Sequence, residues 1–145
     1  MNKPSPSSET VHVSTVAIHG RAVLIGGLSG SGKSDLALRL IDRGAVLVSD
    51  DYTIVRRTAA GLVAGAPPTI GGKIEVRGLG IVEMPNAVDV PVALFVELDA
   101  TPQRLPEPGE TRTLAGIAVP VVVLNAHESS APIKVELALK AATAT

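Results

Sequence analysis

The sequence contains no cysteine and no tryptophan. Disulfides and thiolate metal sites are thereby excluded, and a chain of this kind suits a reducing compartment, with the cytoplasm as the expected location. Aromatic residues are nearly absent as well, since Tyr52 and Phe95 are its only tyrosine and phenylalanine. The core must therefore be packed from Val, Leu, Ile and Ala, which favours layers of sheet and helix, an α/β fold. A charge excess is also missing: the formal net charge is −1. Nothing here attracts nucleic acid or an anionic membrane in general, so neither is expected as a partner. No apolar run reaches the ~20 residues of a membrane-spanning helix, because prolines and charges interrupt the long ones. The first ten residues are polar, with two prolines and three serines, and lack the charged start and apolar stretch of a signal peptide. They are expected to form a flexible tail, residues 1–10, ahead of a single domain over residues 11–145. The hydrophobic share of 46% is enough for one core in 145 residues.

Residues 11–26 are rich in β-branched side chains, with 21–25 as the clearest strand, and end at the pair Gly26, Gly27. Beyond Gly32, Leu36, Ala37, Leu40 and Ile41 share one helical face, Asp35 lies near the helix start and Gly44 suits its C-terminal cap. This predicts a helix over 34–43. Residues 45–49 form a short apolar run where a buried strand returns after a crossover helix, completing one βαβ-like unit and delivering Asp50 and Asp51. Weaker strands are predicted at 53–57 and 62–64, further strands at 92–98 and 119–124, a Pro-rich loop at 101–110 and a helix at 132–142. Residues 73–77 alternate, placing Lys73, Glu75 and Arg77 on one strand face ahead of Gly78, Leu79 and Gly80.

The strongest chemical signal is GLSGSGKS, made of Gly27, Leu28, Ser29, Gly30, Ser31, Gly32, Lys33 and Ser34, lying between a predicted strand and a predicted helix. In such a P-loop the backbone N–H groups curl around phosphate oxygens, Lys33 reaches the β/γ-phosphates and Ser34 ligates magnesium. ATP and Mg2+ are the ligands this implies. Asp50 and Asp51 end the next strand, at the carboxyl end where ligands gather in such sheets. Successive strand residues point oppositely, so one aspartate is expected to address an acceptor hydroxyl while the other holds structure or metal, and Asp50 is preferred as the base. A solvated turn with two acids would carry the same spacing. Glu75 can complete a magnesium shell and Arg77 can stabilise phosphate charge, although an ordinary solvent-facing strand would look identical. His12 and His19 could orient an aspartate or a phosphate, whereas His127 is a weaker candidate. No histidine spacing suggests zinc.

The order of these motifs resembles the C-terminal catalytic domain of the HPr kinase/phosphorylase family. Four blocks carry the resemblance: His12 ahead of the strand; GLSGSGKSDLALRLIDRG; AVLVSDD; and EVRGLGIVEM, similar to that family's E-I-R-G-L-G signature. A fainter match continues through TLAGIAVPVVVL and the last helix, to about residue 142. The resemblance implies a P-loop kinase domain with a mixed β-sheet, a P-loop helix and a C-terminal helix. It further implies that Gly27 to Ser34 bind ATP, that Ser34 and Glu75 hold magnesium, and that Asp50 is the general base. His12, Lys33 and Arg77 would assist, with Asp51 in support. The implied partner is an HPr-like phosphocarrier protein, phosphorylated on serine, and the implied assembly is a hexamer.

Against that family's pattern these 145 residues are expected to hold the catalytic domain without its separate N-terminal domain, and the segment between Met84 and Val92 is short. Asn125, Ala126, His127, Glu128, Ser129 and Ser130 stand where the family has a basic loop. The leading expectation is a protein-serine kinase with weak reverse phosphorylase activity. A P-loop kinase for a small hydroxyl compound and a non-catalytic nucleotide-binding module are the alternatives.

Overall fold

Side chains that alternate along the β-branched stretches give the main sheet two apolar faces. In the computed structural model, which describes residues 7–105 and 108–144, the strands are β1 (Ser8–Val11), β2 (Val13–Ile18) and β3 (Arg21–Gly26). Helix α1 (Lys33–Asp42) follows, then β4 (Val46–Ser49), β5 (Thr53–Thr58) and β6 (Gly61–Gly65). The rest comprises β7 (Lys73–Val76), β8 (Gly80–Glu83), β9 (Val90–Leu98), β10 (Thr111–Leu114), β11 (Ile117–Leu124) and α2 (Ala131–Thr143). The large sheet runs β1-β5-β6-β9-β3-β2-β4, with β11 also on β9 and β10 on β11, while β7 and β8 form a separate hairpin. This is the mixed α/β architecture with a C-terminal helix that the sequence predicts.

Val23 and Ile25 of β3 point to a cluster completed by Leu36 and Leu40 of α1 and by Val135 and Leu139 of α2. Ala22 and Leu24 point the other way, into a cluster with Val48, Val55, Leu62 and Phe95. Each fully buried leucine or valine adds roughly 1.5–3 kcal/mol over its exposed state, so both faces hold the sheet. The β2–β3 hairpin turns at His19 and Gly20, with φ of 51° and 78°. Two positive values match the tight turn that fits strand twist. His19 thus lies at the end of β3 away from the P-loop. Helix α1 stops where Gly44, at φ 110°, donates to the Ile41 carbonyl and Ala45 donates to that of Leu40. These paired bonds close a left-handed C-terminal cap, as the sequence suggests.

Four details differ from the sequence reading. Strand β4 does run parallel to β3, but antiparallel β2 lies between them, so the βαβ-like unit is opened by the hairpin strand. The expected tail ends early: Ser8–Val11 pairs antiparallel with β5, the Glu9 carboxylate accepts the Ala115 N–H, and residues 1–6 lie outside the described residues. Alternation of Thr10 and Val11 was too short to distinguish an edge strand from a polar tail. Arg77 is not on a strand face, because β7 ends at Val76 and residues 77–79 form the hairpin turn. Strands β8 and β10 were not anticipated; β10 follows the Pro-rich loop, of which Pro106 and Glu107 lie outside the described residues. Among the described residues, no helix is long and apolar enough to cross a membrane.

Candidate active site

Gly26 ends β3 and the chain then folds tightly before α1 begins at Lys33. A Cβ on Gly27 would stand 2.7 Å from Ser31 Oγ, so the loop closes only around glycine there. Gly32 caps the helix at φ 98°, a conformation that favours glycine, and its N-terminal N–H groups face the loop mouth. Ser31 Oγ is buried without a hydrogen-bond partner among the described residues. An orphaned donor inside a ring of amides is suited to a phosphate oxygen. Lys33 is buried and its Nζ donates to the carbonyls of Gly27 (3.2 Å) and Leu28 (3.4 Å). The ammonium thus lies back over its own loop. A cleft of about 840 Å³ opens above, lined by Gly26 to Ser31, His12, Arg112 and His127. That volume is typical of a small-molecule site.

The two aspartates point apart in the bend that follows β4 rather than on the strand itself. Asp50 turns inward and is buried, with Oδ1 accepting from Ser34 Oγ at 2.6 Å and from Ser14 Oγ at 2.8 Å. Its Oδ2 accepts the Glu75 N–H at 2.9 Å. Both oxygens are therefore engaged. Asp51 turns outward in a left-handed backbone conformation, φ 68°, and its Oδ1 lies 2.8 Å from His12 Nε2. Its side chain is 56% exposed and its N–H donates to Ser14 Oγ. Ser14 therefore ties the two acids together, one through its carboxylate and one through its backbone.

Hydroxyl and carboxylate oxygens at the helix start are hard donors, and Ser34 with Asp50 is the pairing by which P-loop enzymes hold magnesium. The residues fit Mg2+. The exposed Glu75 side chain stands on β7, and its backbone contact with Asp50 brings it to this edge of the site. Arg77 is exposed two residues on, in the hairpin turn. The structure thus gathers Lys33, Ser34, Asp50, Asp51, His12 and Glu75 around the loop, leaves Arg77 exposed in the hairpin turn and removes His19. His127 lines the cleft, with its N–H bound to Asn125 Oδ1.

Sequence reasoning passed over three residues. Ser14 is a polar side chain in β2, every residue of which is buried, and that mismatch was its signal. Tyr52 stacks on His12, ring centroids 4.8 Å apart and planes at 17°. Arg112 lines the cleft over the Phe95 ring and pairs with Glu97 at 3.1 Å. Neither of these two had a motif to mark it.

Residues 5–136 match the family model described as the HPr Serine kinase C-terminal domain. The chain belongs to this family. Among curated relatives, HPr kinase/phosphorylase of Lacticaseibacillus casei (strain BL23) is 34% identical over 128 residues, covering 79% of this chain and 40% of the relative. That of Bordetella petrii is 44% identical over 85 residues, 58% of this chain and 28% of the relative. The chain thus spans well under half the length of these relatives. A solved structure described as the Hpr(Ser) kinase/phosphatase from Coxiella burnetii superposes with a TM-score of 0.79 at 28% identity. There the coverage is 92% of this chain and 95% of that one. The P-loop, acid pair and Glu75 hairpin are thus held in the fold of that family.

Proposed function

We propose that this domain is the catalytic unit of an HPr-type serine kinase, transferring the γ-phosphate of Mg-ATP to a serine hydroxyl of an HPr-like carrier protein. The observation that carries the reading is the division of labour in the acid pair. Asp50 has both oxygens engaged beside Ser34, whereas Asp51 is exposed, holds His12, which lines the cleft, and has Oδ2 without a hydrogen-bond partner among the described residues. On this reading we assign the proton acceptor to Asp51, with Asp50, preferred from the sequence, as the alternative that the Asp51→Asn and Asp50→Asn variants decide.

The chain's own groups divide the work as follows. The amides of the P-loop and the Ser31 hydroxyl bind phosphate oxygens, and Lys33 leaves the Gly27 and Leu28 carbonyls to meet the β/γ-phosphates. Ser34, held by Asp50, and Glu75 carry Mg2+, which when bound spreads the charge of the transferring group. His12 fixes the Asp51 carboxylate through Nε2–H and leaves the other oxygen to the incoming serine. As the serine oxygen bonds to the γ-phosphorus, its O–H bond breaks, the proton passes to Asp51 and the bond to ADP breaks. Arg77 on the hairpin rim steadies phosphate charge. The same acid can return the proton, so weak reversal with inorganic phosphate belongs to the proposal. We place the protein in the cytoplasm and favour a homo-oligomer of the family's hexameric kind.

The test is incubation with Mg-ATP and an HPr-like carrier, followed by intact mass. Gain of one phosphoryl group on a carrier serine supports the reading. Transfer only to small hydroxyl compounds, or tight ATP binding with no transfer, overturns it.

A further inference from the structure

The chain has only two large carbocyclic aromatics, and they are used very differently. Phe95 is fully buried in the sheet core, while Tyr52 is 47% exposed and lies face to face with His12. An aromatic left this exposed gains little from burial, so its placement is better explained by what it touches. His12 needs such a neighbour. It sits between β1 and β2 with a half-exposed side chain, and among the described residues its one hydrogen bond to a side chain is Nε2 to Asp51 Oδ1. A single bond at one edge leaves the ring free to rock about its own axis. The Tyr52 ring lies against the face and closes that freedom.

Tyr52 is itself held by its backbone rather than by its ring. Its N–H donates to the Asp50 carbonyl at 2.8 Å, and its carbonyl accepts from Ser49 Oγ. The same turn holds Asp51 in its left-handed conformation, with its N–H on Ser14 Oγ. One short turn therefore offers His12 two contacts at right angles: a carboxylate at the edge and a ring on the face.

We propose that Tyr52 is a positioning residue that holds the His12 imidazole in the plane from which Nε2–H meets Asp51. The proposal rests on the reading of Asp51 and His12 as the proton-handling pair. The phenol hydroxyl takes no part, so the ring alone matters. An aromatic contact of this kind shifts a local equilibrium by roughly 2- to 10-fold, which sets the size of the effect.

The experiment compares Tyr52→Ala and Tyr52→Phe with the wild type by proton–nitrogen NMR of the His12 ring, assigned by loss of its signals in His12→Gln. Transfer kinetics and a thermal melt are run on the same samples. The wild type and Tyr52→Phe are expected to show one tautomer, protonated at Nε2, with ring protons shifted upfield by the stacked phenyl face. Tyr52→Ala should lose the upfield shift and mix tautomers, and its kcat should fall roughly 2- to 10-fold with KM for ATP unchanged. Most turnover should return in Tyr52→Phe. Unchanged His12 signals in Tyr52→Ala, or equal damage in Tyr52→Phe, would overturn the proposal. Should the wild type transfer no phosphoryl group, the kinase reading falls separately, and the spectra alone decide whether Tyr52 orients His12.

Discussion

Ser34 and Asp50 meet side chain to side chain at 2.6 Å, the first on the opening turn of α1 and the second just past β4. The contact joins the phosphate loop to the acid-bearing strand end, and the Glu75 N–H joins the hairpin to the same carboxylate. Asp50 therefore acts as the hub to which three separate parts of the site are tied.

Asp50→Asn should weaken that hub. An amide nitrogen turned toward Ser34, Ser14 or the Glu75 N–H replaces an acceptor by a donor, and losing a hydrogen bond to a charged group costs about 1.5–3 kcal/mol. Urea denaturation should register a loss of that size, and magnesium titration of ATP binding should move to higher concentration. Unchanged stability and magnesium dependence, together with lost transfer, would return the base to Asp50.

Lys33→Ala should nearly abolish transfer while leaving the fold intact, because it removes the main side-chain charge opposing the β/γ-phosphates. The Gly27 and Leu28 carbonyls it leaves lie at the cleft, where water can replace it. Circular dichroism and turnover on one preparation check both parts. Near wild-type turnover in the soluble variant contradicts the P-loop assignment.

Glu75→Gln separates backbone from side chain, since the N–H bond to Asp50 survives the change. The variant should keep its stability yet need more magnesium, because a neutral amide is a poorer partner for a hard dication. Arg77→Ala should instead slow transfer at saturating magnesium. If the kinetics of both variants match the wild type, the hairpin carries an ordinary exposed face.

Much of this site was legible because its chemistry depends on fixed spacing. Gly27 to Ser34 needed only the flanking strand and helix to be recognised, and the helix cap at Gly44 followed from one residue type. What the sequence could not rank was Asp50 against Asp51. Alternation says that neighbours point apart, but which one turns inward depends on Ser14 and Glu75, 36 and 25 residues away in the chain. Tyr52 was hidden for a similar reason, since its partner His12 comes from the strand junction on the far side of the P-loop helix in sequence. The position of β2 between β3 and β4 was equally a matter of tertiary pairing, invisible to local pattern.

The most direct test measures transfer to the carrier by wild type and Asp51→Asn at saturating Mg-ATP, with ATP affinity taken on the same samples. General-base assistance is typically worth ~10²–10⁴-fold, so Asp51→Asn should lose transfer within that range while binding ATP as the wild type does. Full transfer by Asp51→Asn, or a wild type that binds ATP and leaves the carrier serine unmodified, would contradict the account.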